Sequence, residues 1–474
     1  MAFYSKKKII NLSLWVIFIL VLGYTKYTFH ELWKDEWQAW FVAKDKSLSE
    51  IFSFLYYEGH PALWYIFLKI FTIFTSWFKA EIIINTAHLL TVAGGLFFLF
   101  VKFRMPVLLK VLFALSYFVA FEYGLISRGY FLVILFAFWA TYLINSKNNG
   151  ILPGIILFLL CQTEVYGVFI AIALGFYLFI NNPTAWATLR KSEFIGLLSG
   201  IFIFLVSVFP RSTGHIARTS GKELAFSDNL LTSFQGNLSN TYLIGSTKDT
   251  FAYGWTNTGL FLSVLCLISL IYIFRKDRKL LGTVGLFFIM MFSFSVLFFL
   301  GGVRQWGMGF IFLIAALELR HPDQVSEKLS SLILVVFGIF NIVHSFKAFR
   351  EEIKLPFTNA AKTGIFIKEK VPVKVPVLAI NKFEATPVVG YAGRKFYELP
   401  DGVEFSYFMW VDKIYLPTEN EMKLFGKFKG VGGIVVLSPQ PLDADRFPSV
   451  QLWQKFDTLN YKKENYFIYT LAVK

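Results

Sequence analysis

The stretch LLGTVGLFFIMMFSFSVLFFL, residues 280–300, carries no charged side chain over 21 positions. At about 1.5 Å of helical rise per residue it reaches across the roughly 30 Å hydrocarbon layer of a bilayer. A soluble helix of that length would carry a polar face, so the run reads as a membrane crossing. Similar runs, Ile9 to Thr25 and Phe194 to Pro210, are among those recurring along the first three quarters of the chain. Composition points the same way: 56% of the 474 residues are hydrophobic, 19% aromatic and 16% charged, against about 25% charged in an average soluble domain. The opening run follows Lys6, Lys7 and Lys8 and lacks a small-residue cleavage site, so it is read as the first span rather than a leader.

A formal charge of +15 would suggest nucleic acid in a soluble protein. Here many lysines and arginines fall in short loops between apolar runs, where they set orientation, and no nucleic-acid partner is expected. The clusters Lys6 to Lys8, Lys102 with Arg104 and Lys110, Lys147, Arg190 with Lys191, Arg275 to Lys279, and Arg320 with Lys328 mark cytoplasmic ends. The N-terminus is then inside, and the last span, near Leu332 to Phe346, delivers the C-terminal segment outside. Counting Pro61 to Phe78 as a span would put Lys102 and Arg104 on the wrong face. Lys69 interrupts that run and Trp64, Tyr65 and Trp77 favour an interface, so it is expected to lie on the outer surface as an aromatic helix, leaving about eleven crossings. Cys161 and Cys266 both fall at or inside apolar segments and offer neither a disulfide framework nor a zinc site.

From Phe349 charges become frequent, and β-rich runs at Val375 to Ile380, Gly433 to Leu437 and Tyr466 to Val473 alternate with an amphipathic helical pattern at Thr418 to Phe428. The expected organisation is an all-α polytopic membrane domain over residues 1–348, followed by a small extracytoplasmic α/β domain over 349–474. The latter has no Gly-rich phosphate loop, metal-ligand cluster or nucleophile elbow, so acceptor binding, scaffolding or a structural cap is its expected role.

Chemistry is expected where outer loops gather ionisable groups beside the bilayer. The first outer loop contains Trp33-Lys34-Asp35-Glu36-Trp37 and then Tyr57-Glu58-Gly59-His60-Pro61. Asp35 and Glu36 are candidate catalytic carboxylates, while Glu58 and His60 are candidate ligands for a divalent cation or a phosphate. Arg128 and Arg304 sit at outer span ends, where a charge is costly unless it has a partner or a task. On the residues alone they read as snorkelling anchors or as salt-bridge partners of Glu122 and Glu164. Glu164 follows Cys161-Gln162-Thr163 at a third outer loop, and His215 lies in the long loop from Arg211 to Trp255.

An outer loop with Asp-Glu, followed by a His-Pro segment entering an aromatic helix, resembles the membrane-embedded GT-C glycosyltransferases, a group that includes protein O-mannosyltransferases and bacterial aminoarabinose transferases. This chain has His60-Pro61-Ala62 where His-Pro-Pro is common in that family. Glu122-Tyr123-Gly124-Leu125-Ile126-Ser127-Arg128-Gly129-Tyr130 resembles the family's second outer loop, and Gly301-Gly302-Val303-Arg304-Gln305-Trp306-Gly307 a later arginine motif of bacterial members. The likeness covers roughly residues 10–345. It implies a hexosyl or pentosyl transferase of a bacterial inner membrane, working on the cell envelope. The donor would be a polyprenyl-phosphate sugar among membrane lipids, and the acceptor a hydroxyl of a lipid, glycan or protein. Inversion at the anomeric carbon is implied, with Asp35 as base and Glu36 assisting or orienting. Arg128, Arg304 and His60 would hold the donor phosphate, a divalent metal ion on Glu58 and His60 is an optional cofactor, and Glu122, Tyr130, Glu164 and His215 are further contacts. A transporter or lipid flippase, and an inert relative that only binds lipid-linked sugar, are the competing readings. A transporter would be expected to show paired hydropathy repeats, which this sequence lacks.

Overall fold

The computed structural model describes residues 2–146, 150–181, 191–208, 226–245, 254–320, 327–410 and 412–473. The chain divides into two compact units. The first comprises Met1–Lys26, Phe52–Trp64 and Thr86–Phe349, and the second comprises Tyr27–Ile51, Tyr65–Asn85 and Arg350–Lys474. The second unit is therefore more than a C-terminal tail, since two segments from the first hundred residues belong to it.

Among the described residues, five helices are long and apolar enough to cross a membrane: Lys6–Thr28, Ala80–Lys102, Asn257–Phe274, Arg278–Leu297 and Lys328–Lys354. They make this an integral membrane protein. Shorter apolar helices run over Leu63–Ser76, Tyr130–Asn145, Leu152–Cys161, Val165–Asn181 and Ser192–Val208. The long helices supply fewer than half of the eleven crossings expected from the charge pattern. Leu63–Ser76, an α-helix of nine residues tightening into five more, rises only about 21–24 Å, less than the hydrocarbon thickness.

Helices of the first unit approach one another through small residues, as expected where lipid supplies no hydrophobic drive. A Cβ on Gly196 would lie 2.1 Å from the Gly154 carbonyl oxygen, and one on Gly200 would lie 2.9 Å from the Cys161 Cβ. Cationic side chains also satisfy helix ends. The buried Lys110 donates to the Phe100 and Phe103 carbonyls at 2.8 and 2.6 Å and so caps that segment's end. Both cysteines are buried free thiols.

The second unit is built on a six-stranded mixed sheet: β1 (Val377–Ala379), β2 (Phe396–Glu398), β3 (Val403–Phe405), β4 (Gly433–Ser438), β5 (Val450–Phe456) and β6 (Tyr466–Ala472). The spatial order is β3-β2-β1-β4-β6-β5. β1 lies parallel to β2 and β4, and the outer pairings are antiparallel. The expected strands at 375–380, 433–437 and 466–473 correspond to β1, β4 and β6, and the expected helix is Glu419–Phe428. Thr418 caps it, accepting from Glu421 N, while the Glu421 carboxylate reaches back to Thr418 N.

Both faces of the central strands are covered, which is why β4 reads as a continuous apolar run. On β4, Val435 and Leu437 face one core while Ile434 and Val436 face another, the period of two that a strand dictates. Met422 and Phe425 of Glu419–Phe428 fill the second core. The first core takes Val388 and Val389 from the helix Lys382–Ala392, and also Leu32, Trp37, Trp40, Phe41, Ile83 and Ile84 from the two N-terminal segments.

Candidate functional site

The expected site residues of the first unit converge from four loops. The helix Leu48–Glu58 stops at Gly59, whose φ of +72° provides the left-handed cap that glycine adopts without a Cβ penalty. Pro61 follows two residues later, so His60 is presented on a fixed turn. Its Nδ1 lies 2.8 Å from Glu164 Oε2. Glu164 directly precedes the helix Val165–Asn181, and its side chain is 9% exposed against 33% for His60. Burial lowers the affinity of His60 for its proton, but the Glu164 carboxylate more than offsets this and raises the pKa, with the Arg128 charge opposing.

The loop carrying Arg128 packs against the same turn, since a Cβ on Gly129 would lie 3.1 Å from Trp64 Cβ, four residues beyond His60. The Arg128 guanidinium lies 5.2 Å from the Tyr130 ring centroid, within cation–π range. Tyr130 begins the helix Tyr130–Asn145, and its hydroxyl accepts from Gln305 Nε2 at 3.2 Å. Tyr123, whose ring centroid is 5.6 Å from that of Tyr130, donates to the Arg304 carbonyl. Glu122 accepts from the Tyr117 hydroxyl at 2.8 Å. The turn Gly301–Gly307 is held by Gly302 N donating to Gln305 Oε1 at 3.0 Å and by Trp306 Nε1 donating to the Leu300 carbonyl at 3.0 Å. Glu58, His60, Arg128, Tyr130, Glu164 and Arg304 thus fall on contiguous contacting loops, with the Arg128 charge acting on His60 and its guanidinium near the Tyr130 ring. Such a cluster can bind a phosphate and turn a polar head group.

Asp35 and Glu36 lie in the second unit, at the start of the helix Lys34–Asp45. Their environments differ sharply. Glu36 is fully buried and accepts from Trp33 N at 2.8 Å, capping its own helix. Its oxygens also lie 3.1 and 3.2 Å from His30 Nε2, while His30 Nδ1 lies 2.8 Å from Glu352 Oε1. Burial lowers the pKa of His30, yet Glu36 and Glu352 together raise it to about 9, so the ring is an imidazolium donating from both nitrogens at neutral pH. Asp35 is half-exposed. The geometry fits Glu36 to orienting the loop and leaves Asp35 as the carboxylate that can meet solvent.

Among the described residues no group of three His, Cys, Asp or Glu side chains is placed to hold a metal ion. Glu58 and His60 supply two donors, fewer than the three protein ligands usual in a catalytic site, and one His60 nitrogen is already engaged by Glu164. His215 lies outside the described residues.

Residues not singled out from the sequence complete the arrangement. Gln305 and Tyr123 bind the two arginine loops together, and the fully buried Lys26 donates to the Leu125 carbonyl in the 122–130 loop. A lysine in the last turn of an apolar span is the available signal for the latter. His30, a lone histidine at a span end, has no sequence neighbour that reveals Glu352.

No protein-family model matches the chain, and no curated protein does. Among solved structures, ArnT from Cupriavidus metallidurans bound to undecaprenyl phosphate aligns over 96% of this chain and 97% of its own, with a TM-score of 0.51 at 10% identity. The apo form of the same protein aligns over the same shares with a TM-score of 0.50 at 10% identity. Over 96% of its length the chain shares the fold of that protein.

Proposed function

We propose that the protein is a membrane glycosyltransferase that moves a sugar from a polyprenyl-phosphate donor to an acceptor hydroxyl of a lipid, glycan or protein, with inversion at the anomeric carbon. The observation that carries this reading is that a solved protein of the same fold, aligned over 96% of this chain, holds undecaprenyl phosphate. The cluster of Arg128, His60 and Glu164, with Arg304 on the adjoining turn, supports it with chemistry suited to an anionic head group.

In this mechanism the acceptor oxygen attacks the anomeric carbon from the face opposite the phosphate. The carbon–oxygen bond to phosphate breaks and its electron pair leaves with the phosphate oxygen. Asp35 takes the acceptor proton, which requires position before any shift in basicity. Arg128 and Arg304 stabilise charge developing on the leaving phosphate, and His60, held by Glu164, donates to it. Glu36 fixes the loop. Purified protein incubated with a panel of polyprenyl-phosphate sugars should release free polyprenyl phosphate. Movement of such lipids across reconstituted vesicles with no cleavage of any donor would overturn the assignment in favour of a flippase.

The orientation that suits this reaction has the N-terminus in the cytoplasm of a bacterial inner membrane, residues 350–474 outside, and Leu63–Ser76 on the outer surface. Reporter fusions after Phe346 and after Lys102 are expected on opposite sides, and matching reports would exclude it.

A further inference from the structure

We infer that the C-terminal α/β domain is the positioning frame of Asp35, with Glu384 and Glu464 as positioning residues that act through Lys34 and Trp33. The inference rests on the reading of Asp35 as the base. It gives residues 350–474 a task in the reaction that is distinct from binding an acceptor.

The residues on either side of Asp35 are clamped. Lys34 Nζ lies 2.8 Å from Glu384 Oε1 and 3.9 Å from Glu464 Oε1. Trp33 Nε1 donates to Glu464 Oε1 at 2.7 Å, and Lys462 Nζ sits 4.2 Å from the Trp33 ring centroid. Glu36, on the other side, is fixed through His30 to Glu352. Farther along the helix, Gln38 behaves as a strand edge would: its Nε2 donates to the Phe408 carbonyl at 2.7 Å and its Oε1 accepts from Phe408 N at 3.1 Å. Trp37 and Trp40, each 1% exposed, are part of the sheet's own core. A Cβ on Gly390 would fall 2.3 Å from the Trp37 ring, so that helix has no room to slide. Lys69 closes the far end by donating to the Ala43 and Lys46 carbonyls at 3.0 and 2.6 Å.

A half-exposed carboxylate on a free loop would sample many positions, and a misplacement of about 1 Å can cost on the order of 10²-fold in rate. The frame removes that freedom, and most of its polar partners lie on residues 350–474. Contacts that merely stabilised the fold would slow turnover through Asp35-independent damage, so the two roles separate in a double-mutant cycle.

The experiment uses the full-length protein. Glu384→Gln should lower kcat by roughly tenfold while leaving donor KM within about twofold, and Glu384→Asp, which keeps the charge facing Lys34, should recover most of it. In an Asp35→Asn background, Glu384→Gln should cost nothing further, because the group it positions is gone. An unchanged kcat for Glu384→Gln, or the same loss in both backgrounds, overturns the positioning role. Should Glu384→Gln be misfolded by chromatography or thermal melting, Gly390→Ala is carried through the same cycle with the same two outcomes. Near-normal turnover by Asp35→Asn itself is a separate result, which removes the base assignment on which the inference stands.

Discussion

Two histidine–glutamate pairs, one in each unit, share a 2.8 Å nitrogen–oxygen distance and differ in almost everything else. The His30 ring is wholly buried between two carboxylates, Glu36 and Glu352. The His60 side chain is 33% exposed, faces the single carboxylate of Glu164, and shares its surroundings with Arg128. A buried imidazolium with both nitrogens engaged has no further capacity to bind a ligand, so its role is to tie the start of the Asp35 helix to the end of the helix Lys328–Lys354. An exposed imidazole with one nitrogen held is oriented and still accessible. Burial separates a clamp from a contact where sequence and distance look alike.

The largest consequence falls on stability. Removing one partner of a buried charge set leaves the others uncompensated, at a typical cost of 3–5 kcal/mol. His30→Ala is therefore expected to lower the thermal midpoint in detergent markedly, whereas His60→Ala, which opens a partly exposed pair, should cost about 1 kcal/mol or less in stability and act mainly on donor turnover. Equal shifts in the two variants would erase the distinction between clamp and contact.

The next effect contrasts Asp35 with Glu36. Asp35→Asn keeps shape and removes basicity, so turnover should fall by about 10² or more, with donor binding largely retained. Glu36→Gln should slow turnover less and destabilise more, since its carboxylate serves Trp33 N and His30. A near-normal rate for Asp35→Asn together with an inactive Glu36→Gln would reverse the roles.

The His30 clamp also sets a pH limit. Its folded pKa of about 9 stands above the ordinary 6.5 because the two carboxylates outweigh burial. The folded protein thus holds this proton more tightly than the unfolded chain. The stabilisation, on the order of 3 kcal/mol, is present in full below pH 6.5 and is lost as pH rises through about 9. Melting at pH 7 and pH 9.5 should show the fall in wild type, and a His30→Ala variant should lose that part of the pH dependence.

Much of this was legible in the sequence where the signal is local. Long apolar runs marked membrane helices such as Arg278–Leu297, short β-rich runs marked β1, β4 and β6, and an amphipathic pattern marked the helix Glu419–Phe428. The loops bearing His60, Arg128, Glu164 and Arg304 were identifiable because charge at span ends is costly. What was not legible depends on contacts across long separations. Nothing local to Trp37 and Trp40 reveals that they share a core with Val388 and Ile468, more than three hundred residues away. Glu36 looks equivalent to Asp35 until its oxygens are found capping Trp33 N and meeting His30. One carboxylate is enclosed and the other is half-exposed, and adjacent positions on a helix carry no pattern that reveals which is which.

The smallest expected effect tests the other side of the comparison, the partly buried cluster of the first unit. Arg128 lies against the Tyr130 ring, and Tyr130 is tied to Gln305, the neighbour of Arg304. A guanidinium offers a planar fork that can meet two phosphate oxygens at once and stack on an aromatic face, whereas an ammonium offers a compact point charge. Arg128→Lys and Arg304→Lys therefore retain the charge while losing the paired geometry, and each should weaken binding of a polyprenyl-phosphate donor by about tenfold, close to 1.4 kcal/mol. Because the charge is kept, stability should change little, which separates this outcome from that of His30→Ala. Isothermal titration or scintillation proximity with a labelled donor gives the affinity directly. Unchanged donor affinity in both single variants would assign the arginines to anchoring the loops at the membrane edge, and the phosphate would then need another partner.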